Sequence, residues 1–129
     1  MFKEASIIMK NNDLKLRQHA AKIQALVDSV LNSRGDSDPE LRRAVEQRAA
    51  AHNDRLPEGG VQLPPELAGY VDKIARHAYK VTDEDIESLR DAGLSEDAIF
   101  ELTLCAALGA GMVRLERGMA AMKGGDDAA

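Results

Sequence analysis

Apolar and polar positions along the chain follow helical spacing, and stretches rich in glycine and proline divide it into five predicted helices. From about Asn12 to Asn32 the residues Leu16, Ala20, Ile23, Val27 and Val30 recur in steps of four and three. That makes one narrow stripe, which needs a partner helix. Asn12 or Asp13 is placed to cap its start, and Ser33-Arg34-Gly35 to close it. Leu16, Ile23 and Val30 also recur at heptad spacing with Leu26 beside them, but the run is too short for a coiled coil. Ordinary packing, or packing across a subunit boundary, is expected instead. Gly35-Asp36-Ser37-Asp38-Pro39 reads as a turn in which Asp38 caps a second helix and Pro39 fills its first position. That helix is expected to reach about Asn53. Leu41, Ala44, Val45 and Ala49 give it a thin apolar face, and Arg42, Arg43, Glu46, Gln47 and Arg48 a wide face expected to be solvated, so its place is peripheral.

Leu56-Pro57-Glu58-Gly59-Gly60 is the clearest break. Leu63-Pro64-Pro65-Glu66 opens a third helix, with Leu67, Tyr70, Val71, Ile74 and Ala78 on one stripe and an end near Tyr79 or Lys80. At Val81-Thr82-Asp83-Glu84-Asp85 the start signals coincide: Thr82 as N-cap, Asp85 as the capping-box acid, and carboxylates beside the positive end of the helix dipole. Gly93 is placed as a left-handed C-cap followed by Leu94, and Ser95 caps the last helix, expected to run to about Met122. From Ala98 to Val113 this helix is apolar nearly all round, with Glu101 its one charge and Thr103 its one hydroxyl, so burial is expected. It reads as too short and too interrupted to cross a membrane. Ala106, Ala107, Gly109, Ala110 and Gly111 would let neighbouring backbones approach closely.

These elements predict one all-α domain over residues 1–129, with N-terminal helices to residue 62, a helical core over 63–122 and a disordered tail over 123–129. Composition agrees. Trp is absent, Phe and Tyr number two each, and 44% of residues are hydrophobic, so the core must come from Leu, Ile, Val, Met and Ala, which suit helices better than a sheet. With 22 acidic against 17 basic residues the net charge is -5, which argues against a nucleic-acid partner. The short Ala92-Gly93-Leu94-Ser95 turn could join a helix-turn-helix pair, but Ser95, Glu96, Asp97 and Glu101 would then meet DNA with acids. Ile7, Ile8 and Met9 form only a short apolar patch near the N-terminus, with no small-residue cleavage site, and no export signal or membrane partner is expected. The single cysteine, Cys105, excludes a disulfide within the chain and fits a reducing compartment, so the cytoplasm is the expected location.

The run Val81-Thr82-Asp83-Glu84-Asp85-Ile86, followed by Leu89-Arg90-Asp91-Ala92-Gly93-Leu94-Ser95-Glu96-Asp97-Ala98-Ile99-Phe100-Glu101-Leu102, resembles the C-terminal portion of the carboxymuconolactone decarboxylase and alkylhydroperoxidase D-like superfamily. Ala106-Ala107-Leu108-Gly109-Ala110-Gly111-Met112-Val113-Arg114-Leu115 is similar to that superfamily's last helix, and the similarity extends back to Leu63-Pro64-Pro65. The resemblance implies an alkylhydroperoxidase D-like bundle of about five helices, assembly as a homo-oligomer (dimer, trimer or hexamer), a small-molecule substrate, and peroxidase or decarboxylase chemistry. The peroxidase branch carries a Cys-x-x-Cys pair followed by His, and this chain has no such motif. The alternative is a non-catalytic helical interaction protein that retains the fold.

Four residues are candidates for chemistry. Cys105 lies one turn after Glu101 and could be a reactive thiol beside a carboxylate, or a core cysteine whose pKa burial and the acid both raise. Glu101, a lone carboxylate in an apolar helix, must pair with a cation such as Arg76, Arg90 or Arg114, line a pocket, or face solvent. His77 is the best placed histidine for acid-base work, with a plain structural role as its alternative. Arg114 could bind a substrate carboxylate or simply suit the negative end of the helix dipole. His19, His52 and His77 are too scattered for a metal site, and neither metal nor cofactor is expected.

Overall fold

The computed structural model describes the backbone of residues 2–51 and 62–124, and the side chains of 14–51 and 62–124. Its elements are α1 (Phe2–Asn32), α2 (Pro39–Ala51), α3 (Pro65–His77), a 3-10 turn (Ala78–Lys80), α4 (Asp83–Asp91) and α5 (Glu96–Gly124). The described residues are all-helical, and no strand occurs among them. The expected break at Leu56–Gly60, His52 and the tail from Gly125 lie outside the described residues.

The chain divides into two compact units, Met1–Val30 and Leu31–Ala129. The first is most of α1, which begins about ten residues before the predicted start. Nothing between Phe2 and Asn12 is a Gly or Pro that would stop a helix, so Asn12 and Asp13 lie inside it instead of capping it. Within it Gln24 donates to Asp28 one turn on (3.0 Å), and Leu14 and Leu26 are exposed.

In the second unit α2 packs along α5, and α3 packs on both. The core consists of Val45 and Ala49 from α2, Leu67, Val71 and Ala75 from α3, Leu89 from α4, and Leu102, Cys105 and Ala106 from α5. The expectation of a peripheral α2 is therefore overturned. Its thin apolar face suffices because the facing part of α5 is itself lined by small residues. At Gly109 the carbonyl of Glu46 lies so close that a Cβ would overlap it, and burial of the Arg42 side chain widens the contact.

Polar ties fix the angles between neighbouring helices. Arg48 holds Asp72 through both carboxylate oxygens (2.9 Å each), joining α2 to α3. Lys73 does the same for Asp85 (2.8 and 2.9 Å), joining α3 to α4. Asp85 also closes the predicted capping box with Thr82, and these donors hold its carboxyl below the usual carboxylate range, the Lys73 bond first. Arg90 bridges Glu87 on α4 (2.8 Å) and Glu96 on α5 (2.6 Å). Gly93 takes the left-handed conformation its cap requires (φ 100°), and Leu94 N–H returns to the Leu89 carbonyl (3.1 Å). Tyr70 is buried as expected. Its hydroxyl donates to Thr103 Oγ1 (2.7 Å), which itself donates to the Ile99 carbonyl (2.7 Å).

Burial of α5 is one-sided, against the expectation from its composition. Ala98, Ile99, Leu102, Cys105, Ala106, Gly109 and Ala110 are buried, while Phe100 (69% exposed), Leu104 and Met122 (70% exposed) face outward. At 29 residues α5 is also long and apolar enough, by length and composition, to cross a membrane, which corrects the reading of it as too short.

Two glycines test the packing in opposite directions. Gly109→Ala gains helix propensity but collides with the Glu46 carbonyl, and is expected to destabilise by about 1–3 kcal/mol. Gly69 on α3 has nothing within 4 Å of an added Cβ, so Gly69→Ala is expected to stabilise by about 0.5–1 kcal/mol. Urea denaturation of both variants against wild type reads the signs.

Candidate functional site

The turn between α1 and α2 wraps around the side chain of Glu101. Gly35 comes so close to this carboxylate that a Cβ would overlap Oε1 unless the Glu101 side chain moved. Beyond it, Asp36 N–H donates to Oε1 (2.8 Å) and Ser37 N–H to Oε2 (2.7 Å), while Ser37 Oγ donates to Oε2 as well (2.6 Å). The turn is pinned at two more points. Ser95 Oγ donates to Asp36 Oδ2 (3.3 Å) while accepting from Ala98 N–H (3.1 Å) as the cap of α5. Arg42, 2% exposed, sends Nη2 to the carbonyls of Ser33 (2.6 Å) and Ser37 (3.1 Å). Asp38 accepts from Glu40 N–H (3.1 Å) as the cap of α2, and Arg43 bonds Asn32 across the turn.

The sequence offered Arg76, Arg90 or Arg114 as a partner for Glu101, with a pocket or a solvent-facing position as the alternatives. Arg90 is engaged with Glu87 and Glu96, and Arg114 donates to the Ala75 carbonyl at the end of α3 (2.7 Å). The cation that acts on Glu101 is Arg42. Its burial was missed because an arginine beside Arg43 in a charged run reads as solvated. The four glycine, serine and aspartate residues of Gly35–Asp38 read as a turn, which they are, and nothing in their order marks a carboxylate-binding turn.

Opposing effects set the ionisation of the group. Burial raises the Glu101 carboxyl, and the bonds from Ser37 and Asp36 together with the Arg42 charge outweigh it, leaving it below the usual range. One turn on, Cys105 is fully buried. Desolvation pushes its thiol up to about 11, with Glu46 and Glu101 adding to the rise and Arg42 opposing it. At pH 7 the thiol keeps its proton, so Cys105 is a poor nucleophile. Across the helix contact, burial and then the charge of Glu116 raise the Glu46 carboxyl. His77 is exposed at the end of α3 with its ring edge-on to Tyr79 (centroids 5.9 Å apart), away from the Glu101 and Cys105 side chains of α5. Glu101 and Cys105 thus share a face with Arg42 and Glu46, whereas His77 and Arg114 belong to the other end of the α3–α5 contact.

No family model matches the chain, and no similar protein is found among curated proteins or solved structures.

Glu101→Gln keeps the shape but loses the charge and one acceptor oxygen, so a loss of about 1–2 kcal/mol at pH 7 is expected. The folded-state pKa of Glu101 is lowered, so its contribution is complete above the unfolded value, about pH 4.3, and is lost as pH falls through the folded value. Urea melts between pH 7 and pH 3 should show that this part of the acid sensitivity disappears in Glu101→Gln. Glu46 has the opposite sign. Its folded pKa is raised, so it weakens the fold at neutral pH and the penalty fades as protons are taken up. Glu46→Gln is expected to raise stability at pH 7 by up to about 1 kcal/mol, with no gain left at acid pH.

Proposed function

We propose that this chain is a non-catalytic helical interaction protein that works as a homo-oligomer in the cytoplasm. The observation that carries this reading is the outer face of α5, where Phe100, Leu104 and Met122 stand exposed on a helix whose other side is closed against α2 and α3. Large apolar side chains left exposed along one face of a helix support a contact surface there. Three of the four residues that would carry chemistry are occupied in holding the fold, and the fourth, His77, stands exposed apart from them. Both oxygens of Glu101 are taken by the α2 turn, Arg114 is bonded to a backbone carbonyl, and Cys105 sits protonated in the core.

The alkylhydroperoxidase D-like bundle implied by the C-terminal motifs is compatible with this reading, as an inherited scaffold whose cysteine pair is missing. Two-cysteine peroxide reduction requires one thiolate to attack and a second to resolve it, and a single cysteine cannot do both within one chain.

Peroxide consumption with a dithiol reductant is expected to equal the protein-free background for wild type and Cys105→Ser alike. Turnover that Cys105→Ser abolishes would restore the enzymatic reading. Light scattering at micromolar concentration is expected to give a multiple of the chain mass, and a strict monomer would refute self-association.

A further inference from the structure

One stripe of α5, formed by Glu101, Cys105 and Gly109 at four-residue spacing, is covered by the segment that runs from Ser33 through α2. Gly35 and the N–H groups of Asp36 and Ser37 close on Glu101 at one end, and the Glu46 backbone lies on Gly109 at the other. Cys105 sits between them, 0% exposed, and the charges that act on its thiol include Arg42 and Glu46 of α2. The segment is a strap, fastened mainly by polar contacts. It gives the core only the apolar side chains Val45 and Ala49, against Leu67, Tyr70, Val71, Ala75, Leu89 and Leu102 from the helices beneath it. Its tie to α3 is the Arg48–Asp72 pair, whose side chains are 27% and 38% exposed, so water competes for it. Two of its groups resist release little. Burial raises the Glu46 carboxyl, and the Arg42 bonds to the Ser33 and Ser37 carbonyls lie within the strap and travel with it.

We infer that residues 33–51 open as one unit from a folded remainder of α3, α4 and α5, that the Glu101 side chain is the latch of this motion, and that opening uncovers Cys105. Three bonds converge on Glu101, from Asp36 N–H, Ser37 N–H and Ser37 Oγ, and all three break when the strap lifts, together with the bond from Ser95 Oγ to Asp36. The remainder keeps its own ties: Lys73 to Asp85, Arg90 to Glu96, Tyr70 to Thr103, and Arg114 to the Ala75 carbonyl. Local opening draws on segments with few buried apolar contacts and takes less free energy than global unfolding. The strap meets that description, and the helices beneath it do not. Cys105 then has two states, inert under the strap and reachable when it is lifted, with no change in α5 itself. The outer face of α5 plays no part, so the inference stands apart from self-association.

Labelling of Cys105 by an aromatic disulfide reagent reads the opening. Rates are measured at fixed pH across a urea series, and each is divided by the rate of the same variant unfolded in concentrated urea. Below the unfolding transition the wild-type rate is expected to change little with urea, because lifting the strap exposes little surface, and to turn steep where global unfolding takes over. Glu101→Gln is expected to raise the urea-free rate about 5- to 30-fold, and Glu46→Gln to lower it by up to about 5-fold. Asp85→Asn, which weakens the tie between α3 and α4, is expected to lower the urea midpoint of global unfolding while the urea-free labelling rate stays within about 2-fold of wild type. A wild-type rate that follows the global unfolding slope down to urea-free buffer would overturn the inference. So would an Asp85→Asn rate that rises by the full factor of its stability loss, since Cys105 would then be uncovered only by unfolding. A Glu101→Gln rate equal to wild type would overturn the latch. Should Glu101→Gln lose its helical circular dichroism, Ser37→Ala removes one latch bond and keeps the carboxylate, and is expected to raise the rate about 3- to 10-fold.

Discussion

The Leu31–Ala129 unit depends on a carboxylate that reaches out of an apolar helix to hold the backbone of a turn some 65 residues earlier in the chain. A turn of glycine, aspartate and serine presents N–H groups with no secondary-structure partner, and these must be satisfied when the turn is pressed onto a core. Glu101 supplies two acceptor oxygens at that point. Gly35 lets the carboxylate come close, and the Arg42 guanidinium ties the carbonyl side of the same turn. Donors and acceptors of one short segment are thereby answered by two residues of opposite charge, and α2 leaves the turn in the direction that lays it along α5.

That direction makes the contact at Gly109 possible. Once α2 approaches within backbone distance of α5, the space between them is too shallow for large side chains, and Val45, Ala49, Cys105 and Ala106 fill it. In this setting a cysteine is a small apolar residue. The same closeness that buries Cys105 keeps its proton in place, so the packing and the lack of nucleophilic character have one cause. The ion pairs Arg48–Asp72 and Lys73–Asp85 lie farther out, where water competes, and act chiefly to orient α3.

How much of this could be read in the sequence depended on whether the determinant was local. The capping box at Thr82, the glycine cap at Gly93, the Ser95 cap and the proline starts of α2 and α3 are written within a few residues, and each appears where expected. The start of α1 was misplaced because a good capping residue is only a permission to begin, and the residues before Asn12 also favour helix. Arg42 and the partners of Glu101 were missed for a different reason. A buried arginine and an exposed one look alike in a charged run, and what distinguishes them is a turn and a helix far apart in sequence. Composition misled in the same way for α5: an all-round apolar helix implies something on every side, without saying whether this chain supplies it.

Gly109 and Gly111 put that last point in its sharpest form. Two residues apart on a helix, they point in nearly opposite directions, about 200° around the axis. At Gly109 an added methyl would strike the Glu46 carbonyl; at Gly111 it would meet nothing. If the small residues of α5 served only the packing of this unit, those on the outer side would be free to carry polar side chains, which cost less helix propensity than glycine and would keep the surface wet. Gly111 and Gly118 instead interrupt a row of leucines and a methionine, and alternate with them at the spacing of a helix seam. The two sides of α5 thus use glycine differently: on one side it admits the α2 backbone, and on the other it leaves the helix surface open.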